Sequence, residues 1–390
     1  MGSLPRVIWS VLLATFAYFL AIMIIAPIIS PYAISLGASP AILGLLSALT
    51  SATAIVFRPI FGLISDRGYR FEMMMFGCAL SCVAALVYAS SNNLWLFGIA
   101  RVIHGLASAS FLPTSISTAI DLAPLERVGE TLGWRSTMIG VSQLLGPGLG
   151  GYVSDSFSYR ATFICGFFLT LTSLALLFIT AKWAKKFFKA DKIDSKSKFR
   201  DIRKLLMPNF VGSMVAVTLY AITYSGIFTF LPAIYRELGF GASVYGIYAS
   251  IQGGSSILTR AISGILADRK GPIPIASIGL ALITLACVLL AINHLPPTAY
   301  VCAAIFGIGL GLVVATVQLL ALGSLPQEMR GFGTGIYSIS FDLGFLIGPI
   351  ILGIYIELAG SYTSILWLLP IFPAASLITI QIINIAMKLK

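Results

Sequence analysis

Long apolar runs separated by short polar breaks extend along the whole chain. About 20 apolar residues are enough for a helix to cross a bilayer. Runs bounded by charges, Pro, Gly or Asn therefore predict twelve membrane-spanning helices, joined by short connections except after the sixth. The predicted spans are residues 7–31, 41–65, 72–90, 94–121, 129–154, 160–182, 208–235, 243–266, 273–293, 297–324, 331–356 and 362–387.

The second half of the chain repeats the first at a constant offset of 202 residues. VFRPIFGLISDR (56–67) returns as LTRAISGILADR (258–269), and the pair Gly146-Pro147 returns as Gly348-Pro349. Parallel repeats of this kind belong to transporters that move two halves around a central site. We predict an all-α membrane protein with two pseudo-symmetric six-helix bundles, residues 1–182 and 208–390, and a linker at 183–207.

The composition excludes a soluble protein. Hydrophobic residues make up 58% of the chain and charged residues 10%, whereas soluble domains have roughly 45–50% and about 25%. The five cysteines show no disulfide or metal-ligand spacing, so we predict buried thiols, no metal and no cofactor. A single twelve-span chain is sufficient for transport, so we expect a monomer in the lipid bilayer.

The distribution of Lys and Arg predicts the orientation. Most of them fall in loops and helix ends that share one side when the N-terminus is cytoplasmic, and we assign Arg58, Arg135 and Arg260 to these inner ends. Both termini are then cytoplasmic, in the plasma or inner membrane of a prokaryotic cell. The same bias accounts for the net charge of +11 without a nucleic-acid partner. The basic linker is either a solvated connector or a helix on the anionic inner leaflet.

Two loops carry a family signature. GLISDRGYR (62–70) and its copy GILADRKGP (264–272) resemble the Gly-x-x-x-Asp-Arg-x-Gly-Arg motif of the major facilitator superfamily. The first copy has Tyr69 where the motif has its later glycine, and the second has Pro272 where the motif ends in arginine. The likeness covers essentially the whole chain, so the chain is identified as a member of that superfamily.

The resemblance implies a latch that stabilises one of two transport states. In it Gly62 and Gly264 would let helices approach closely, and Asp66 and Asp268 would lie near a helix N-terminus. The basic residues would pair with carboxylates of adjacent loops; they are Arg67, Arg70 and Arg269. The alternative is that these loops only set the topology.

The fifth span contains GVSQLLGPGLGG (140–151), where five glycines and a proline interrupt a helical pattern. Gly146, Gly150 and Gly151 offer a bare ridge for a facing helix, and Pro147 removes one backbone hydrogen bond. The ridge suits either a movable contact or a static close crossing. The stretch resembles the antiporter motif of the superfamily, and this resemblance implies export.

Asp342 and Arg101 are the acidic and basic residues that we place in mid-membrane, where a charge costs about 2.5–3.5 kcal/mol on insertion scales. Both should face the protein interior. Arg101 also resembles the superfamily's fourth-span arginine, which implies proton handling or substrate contact, and its repeat counterpart is Ala303. His104 shares its helix face and is either a proton-linked switch or a plain hydrogen-bonding group.

Uncharged side chains complete the candidate substrate site. Tyr220 and Tyr224 share a face of the seventh span, and Phe228 continues it; these aromatics either line a site for flat amphipathic cargo or pack ordinarily. Further candidates are Gln143, Gln252 and Gln318.

Together with the resemblance, which implies export, these residues favour a proton-coupled exporter of small amphipathic compounds that works by alternating access. The first span has no acid, so coupling would fall to Asp342, His104 or the Asp66 cluster. The alternative cargo is an organic anion, metabolite or metallophore held by Arg101. A non-transporting sensor is a remote alternative. No set of residues suits an enzyme, and no phosphate-binding glycine loop suits ATP-driven transport.

Overall fold

The computed structural model describes residues 4–184, 207–325 and 329–388. Over these residues the fold is all-α, as predicted, and the predicted spans correspond to twelve helices. Most of the predicted linker lies outside the described residues. The helices are α1 Arg6–Ser35 with a 3₁₀ turn at Ala26–Ile28, α2 Pro40–Asp66, α3 Arg70–Ser90, α4 Leu94–Leu122, α5 Val128–Ser156, α6 Tyr159–Ala184, α7 Pro208–Glu237, α8 Ala242–Lys270, α9 Pro272–Ile292, α10 Thr298–Gly323, α11 Arg330–Ala359 and α12 Ile371–Lys388, which follows a 3₁₀ helix at Tyr362–Trp367.

Ten of the described helices are long and apolar enough to cross a membrane. The two others that we predicted as spans, α5 and α8, have 29 residues each and are long enough, but they are rich in glycine, serine and threonine. Such small residues lower hydropathy and allow close packing of helices in a bilayer.

Local sequence signals define several helix ends. Asn93 caps α4, because its side-chain oxygen accepts a hydrogen bond of 2.9 Å from the backbone N–H of Leu96. Pro208 and Pro272 occupy first-turn positions of α7 and α9, where the missing N–H has no helical partner to lose. Gly360 ends α11 in the left-handed conformation with φ of 73°.

The chain divides into two compact units. The first contains Met1–Ala38, Leu49–Ile193 and the start of α8, Gly239–Ser250. Within it α1 packs on α5 and α6, and α3 packs on α4 and α6. Aromatic side chains fill its core, where the rings of Tyr18 and Phe111 stack with centroids 3.7 Å apart.

The second unit contains Ser39–Ala48, Asp194–Leu238 and Ile251–Lys390, and so includes the start of α2. Within it α7 packs on α11 and α12, and α9 packs on α10 and α12. These pairs are the pairs of the first unit shifted by six helices. The repeat in the sequence therefore corresponds to a repeat in packing.

Candidate functional site

An aromatic cluster lies inside the second unit. The Tyr224 ring of α7 lies 6.1 Å from the Phe306 ring of α10, and 6.1 Å and 5.6 Å from the Phe341 and Phe345 rings of α11. At either end of this group, Tyr220 lies 6.4 Å from Phe341 and Phe228 lies 6.0 Å from Phe345. The aromatic residues predicted from the seventh span are thus gathered with three phenylalanines; we call these six rings the aromatic cluster.

Asp342 follows Phe341 in α11 and is half-buried. Every other acidic side chain in the described helices lies in the first or last turn of its helix, so Asp342 is distinctive within the described part of the chain. Its place in mid-helix agrees with the sequence prediction. A carboxylate at such a depth has to be matched by neighbouring polar groups or water.

Three arginines that we assigned to helix ends lie well inside their helices, which corrects that assignment. Arg135 of α5 is 7% exposed and donates a hydrogen bond of 2.7 Å to the Ser115 hydroxyl. Arg58 of α2 and Arg260 of α8 are half-buried. Arg260 lies ten residues before the end of α8, about 15 Å at the rise of a helix. Loop charge patterns could not reveal this, because they show only that a basic residue lies toward one end of a span and not whether its side chain is buried.

A polar face on α8 was only partly recognised in the sequence. Gln252, Ser256 and Arg260 follow one another at intervals of four residues and so lie on one side of the helix. Gln252 and Ser256 are 4% and 1% exposed. Among the described residues, Gln252 Nε2, Ser256 Oγ and Arg260 Nε are buried and have no hydrogen-bond partner. We call these three residues the α8 polar face.

The α8 polar face adjoins the aromatic cluster within the second unit. The guanidinium of Arg260 lies within electrostatic range of the hydroxyls of Tyr220 and Tyr224. Gly307 and Gly311 of α10 approach the backbone of α8 so closely that a Cβ at either would meet main-chain atoms of residues 252, 256 and 260. Since Phe306 belongs to the aromatic cluster, α10 connects the two groups.

In the first unit, Arg101 and His104 of α4 are each 7% exposed. Arg101 lies beside the Tyr88 hydroxyl, and the ring centroids of His104 and Tyr88 are 6.1 Å apart. Tyr88 in turn stacks on Phe163 at 5.1 Å. The predicted pair is therefore brought together in a buried aromatic environment. Gln143 lies half-buried in α5 of the same unit.

The first Asp-Arg loop is joined to the end of α4. Arg70 forms an ion pair with Asp121 and donates a hydrogen bond of 3.2 Å to the Ser117 carbonyl. Asp66 and Arg67 are exposed, and so are their counterparts in the second copy, Asp268 and Arg269.

The close helix approach predicted at Gly62 and Gly264 is absent from the described structure. A Cβ added at either glycine would meet no atom within 4 Å. The glycines of the α5 ridge behave differently, since a Cβ would collide with α1 at both positions, with Met23 at Gly146 and with the backbone of Ile24 at Gly150. Small residues permit a close approach but do not cause one, so the facing helix decides.

The ridge also contacts the start of α8. A Cβ at Gly151 would collide with Ala242 and Ser243, and α5 continues through Pro147 without interruption. The backbone N–H of Gly148, which follows the proline, donates a hydrogen bond of 2.9 Å to the Ser250 hydroxyl. In the second copy, Gly353 meets Pro40 and Ala41 at the start of α2. These positions are related by the offset of 202.

A carboxylate caps each of these two helix starts. The two oxygens of Asp155 accept hydrogen bonds from the backbone N–H groups of Ala242 and Ser243, at 2.7 Å and 2.9 Å. Glu357 Oε2 accepts bonds of 3.0 Å from the N–H of Ala41 and the Ser39 hydroxyl. Asp155 and Glu357 are repeat counterparts. We predicted a carboxylate at a helix N-terminus for Asp66; this arrangement is present at Asp155 and Glu357, and for Asp66 it stays a prediction.

No group of three or more His, Cys, Asp or Glu side chains is placed to hold a metal ion in residues 4–184, 207–325 and 329–388. Four of the five cysteines are buried and Cys165 is half-buried. The groups available for chemistry are thus a mid-helix carboxylate, interior arginines, a histidine and aromatic rings. They suit binding and proton transfer inside a membrane protein.

Duplicated helix packing, apolar helices and an interior with a few charged groups together define an integral membrane transporter. The sequence profile of the Major Facilitator Superfamily matches residues 11–349. The chain belongs to this family.

Relatives and solved structures agree with this family. An uncharacterised MFS-type transporter of Methanocaldococcus jannaschii is 26% identical over 365 residues, which cover 92% of this chain and 94% of the relative. Multidrug resistance protein MdtG of Rahnella sp. is 27% identical over 320 residues, 79% of this chain and 75% of the relative. A solved bacterial homolog of the human lysosomal transporter Spinster has a TM-score of 0.78 at 16% identity, covering 98% of this chain and 96% of that one. This last likeness concerns the fold alone.

Proposed function

We propose that the protein is a secondary active exporter that moves small amphipathic compounds out of the cell by alternating access, in exchange for protons. It acts as a monomer in the plasma or inner membrane, with both termini in the cytoplasm. The observation that carries the proposal is Asp342, a mid-helix carboxylate that directly follows Phe341 of the aromatic cluster. The likeness to a multidrug resistance protein supports export and a broad range of cargo.

The aromatic cluster binds the apolar part of the cargo. Aromatic rings offer large flat contact surfaces and tolerate different apolar shapes, since little of their binding depends on hydrogen-bond geometry. Asp342 takes up a proton in one state and releases it in the other, because moving it between wetter and drier surroundings changes the stability of its charged form.

The glycine ridges and the Asp-Arg loops provide the movement. Bare backbone at Gly146 and Gly151 allows helices to remain in contact while they shift, because no side chains interlock there. The Arg70–Asp121 ion pair holds the first Asp-Arg loop to α4, and we infer that this loop latches one of the two transport states.

The experiment is proton-linked transport in proteoliposomes that contain a pH-sensitive dye. Addition of an amphipathic substrate should move protons in the wild type. Asp342→Asn should abolish this signal while downhill substrate exchange continues, because the variant carries no titratable proton at that site. Glu130→Gln is the matched control. Glu130 is also a helical carboxylate, but it lies at the surface, where it pairs with Arg127. An Asp342→Asn protein with the normal rate and pH dependence would contradict proton coupling through this residue.

A further inference from the structure

The α8 polar face contains hydrogen-bonding groups that the fold itself does not use. Buried polar groups in proteins almost always have a partner, and each exception calls for an explanation. Here three exceptions lie on one face of one helix: Gln252 Nε2, Ser256 Oγ and Arg260 Nε. No carboxylate pairs with Arg260 among the described residues.

Neighbouring hydroxyls on α8 show how such groups are usually satisfied. Ser255 Oγ donates a hydrogen bond of 2.8 Å to the Ile251 carbonyl, and Thr259 Oγ1 donates one of 2.8 Å to the Ser255 carbonyl. Both bonds stay within the helix. Ser256, which lies between these residues, makes no such bond.

The repeat separates the shared part of this polar face from the part found only in the second half. The counterparts of Gln252 and Ser256 in the first half are Thr50 and Ala54, whereas Arg260 has an arginine, Arg58, as its counterpart. Thr50 is satisfied, because its hydroxyl donates to the Arg101 carbonyl at 3.2 Å, and Ala54 has no polar side chain. The arginine is therefore common to both halves, and the two unpartnered groups that precede it in α8 are specific to the second half.

The chemistry of the three atoms indicates what they bind. An amide N–H, a guanidinium N–H and a hydroxyl can all donate, and the guanidinium carries a permanent positive charge. They match the oxygens of a carboxylate or sulfonate, with charge-assisted hydrogen bonds from the arginine. Tyr220 and Tyr224 of the aromatic cluster lie within electrostatic range of Arg260, and their rings match a flat apolar body.

We propose that Gln252, Ser256 and Arg260 form a head-group subsite for small aromatic anions, whose ring lies against Tyr220 and Tyr224. This inference rests on the proposed function and narrows its cargo from amphipathic compounds to aromatic carboxylates and sulfonates. It assigns recognition of the anionic group to Arg260.

The test uses purified full-length protein and three probes of similar shape: 2-naphthoate, the neutral 2-naphthamide and the cationic 2-naphthylmethylammonium. Titration calorimetry should detect tightest binding for the anion. Arg260→Gln should weaken naphthoate binding by roughly tenfold or more, the range of a lost charge-assisted hydrogen bond, and leave naphthamide binding nearly unchanged. Arg260→Lys should retain part of the preference for the anion, because it keeps the charge.

Serine variants provide the matched control. Ser256→Ala should weaken naphthoate binding by about threefold, as for a neutral hydrogen bond, whereas Ser255→Ala should leave it unchanged. Equal binding of all three probes, no binding of any of them, or unchanged naphthoate affinity in Arg260→Gln would overturn the subsite. If Arg260→Gln does not fold, the subsite is tested by the naphthoate affinity of Arg260→Lys and by the comparison of Ser256→Ala with Ser255→Ala.

The proposed function and this subsite can fail separately. Arg260-dependent binding of naphthoate without proton-linked transport would contradict the exporter and leave the subsite intact. Proton-linked transport with a preference for the cationic probe would support the exporter and overturn the subsite.

Discussion

Gly151 and Gly353 occupy the same place in the two copies of the repeat, and each packs against the start of a helix from the other half of the sequence. The interior residues compare differently. Arg101 has Ala303 as its counterpart, His104 has Phe306, and the counterparts of Ser256 and Asp342 are Ala54 and Gly140. Backbone contacts and caps are thus duplicated, whereas these four interior groups are not. The comparison teaches that packing constrains the shared positions, and we propose that cargo and coupling chemistry occupy the differing ones together with Arg260, whose counterpart is Arg58.

The largest expected effect comes from a glycine of the duplicated packing. Gly146→Val and Gly348→Val should each destabilise the protein by about 2–3 kcal/mol, because each new side chain collides with a neighbouring helix, at Met23 for Gly146 and at Ser225 for Gly348. Thermal unfolding of purified variants measures this. Gly62→Val is the control and should change stability by less than about 0.5 kcal/mol, since its Cβ has open space. A Gly62 variant as unstable as the Gly146 variant would contradict the packing argument.

The next effect concerns an unduplicated charge. Arg101→Met should fold, because replacing a buried charge by an apolar side chain of similar size is often tolerated. Its transport rate should fall by about tenfold or more for anionic, neutral and cationic cargo alike. A tenfold loss corresponds to an activation free energy that is higher by about 1.4 kcal/mol. Uptake into everted vesicles with the three naphthalene probes checks this. A loss confined to the anionic probe would instead assign recognition of the anion to Arg101. It would contradict the assignment of transport to Arg101 and of anion binding to Arg260.

The smallest expected effect is a difference in stability between loss of the Asp155 cap and loss of the Glu357 cap. Asp155→Ala removes the acceptor for two backbone N–H groups and should cost about 1–2 kcal/mol, whereas Glu357→Ala removes the acceptor for one and should cost about half as much. Thermal unfolding at low and high salt measures both. The losses should shrink at high salt, because both carboxylates are exposed and screened. A larger loss for Glu357→Ala would show that hydrogen-bond number does not rank the caps.

Most of the fold was predictable because each span carries its own signal. Apolar runs of helical length predict a helix whatever surrounds them, since the bilayer requires every backbone group to be satisfied within the segment. The least apolar helices, α5 and α8, were predicted like the others, as runs bounded by charges, Pro, Gly or Asn. Their glycine and serine content reflects helix contacts that a hydropathy criterion does not measure.

The candidate site was predictable only where a residue is unusual for its surroundings. Asp342 and Arg101 stand out as charges within apolar runs. Arg260 does not stand out, because it lies near a basic loop. In the sequence it therefore looks like one of the positive charges that set the orientation in the membrane, and only the structure shows that it is half-buried. The caps had a usable signal, since Asp155 and Glu357 recur at the repeat offset, but nothing local indicates which helix start each carboxylate would meet.

The sequence by itself determined that this protein lies in a membrane, how many helices it has and how long they are, and that its two halves repeat. It also determined which charged residues must be buried inside the protein. These follow from local apolarity and periodicity, which act within a single segment. Only the tertiary structure decided which glycines are close contacts, which carboxylates cap a helix and which arginine lies within electrostatic range of the aromatic cluster. Such relations depend on the approach of helices that are distant in the chain, and a residue's type permits many such approaches without selecting one.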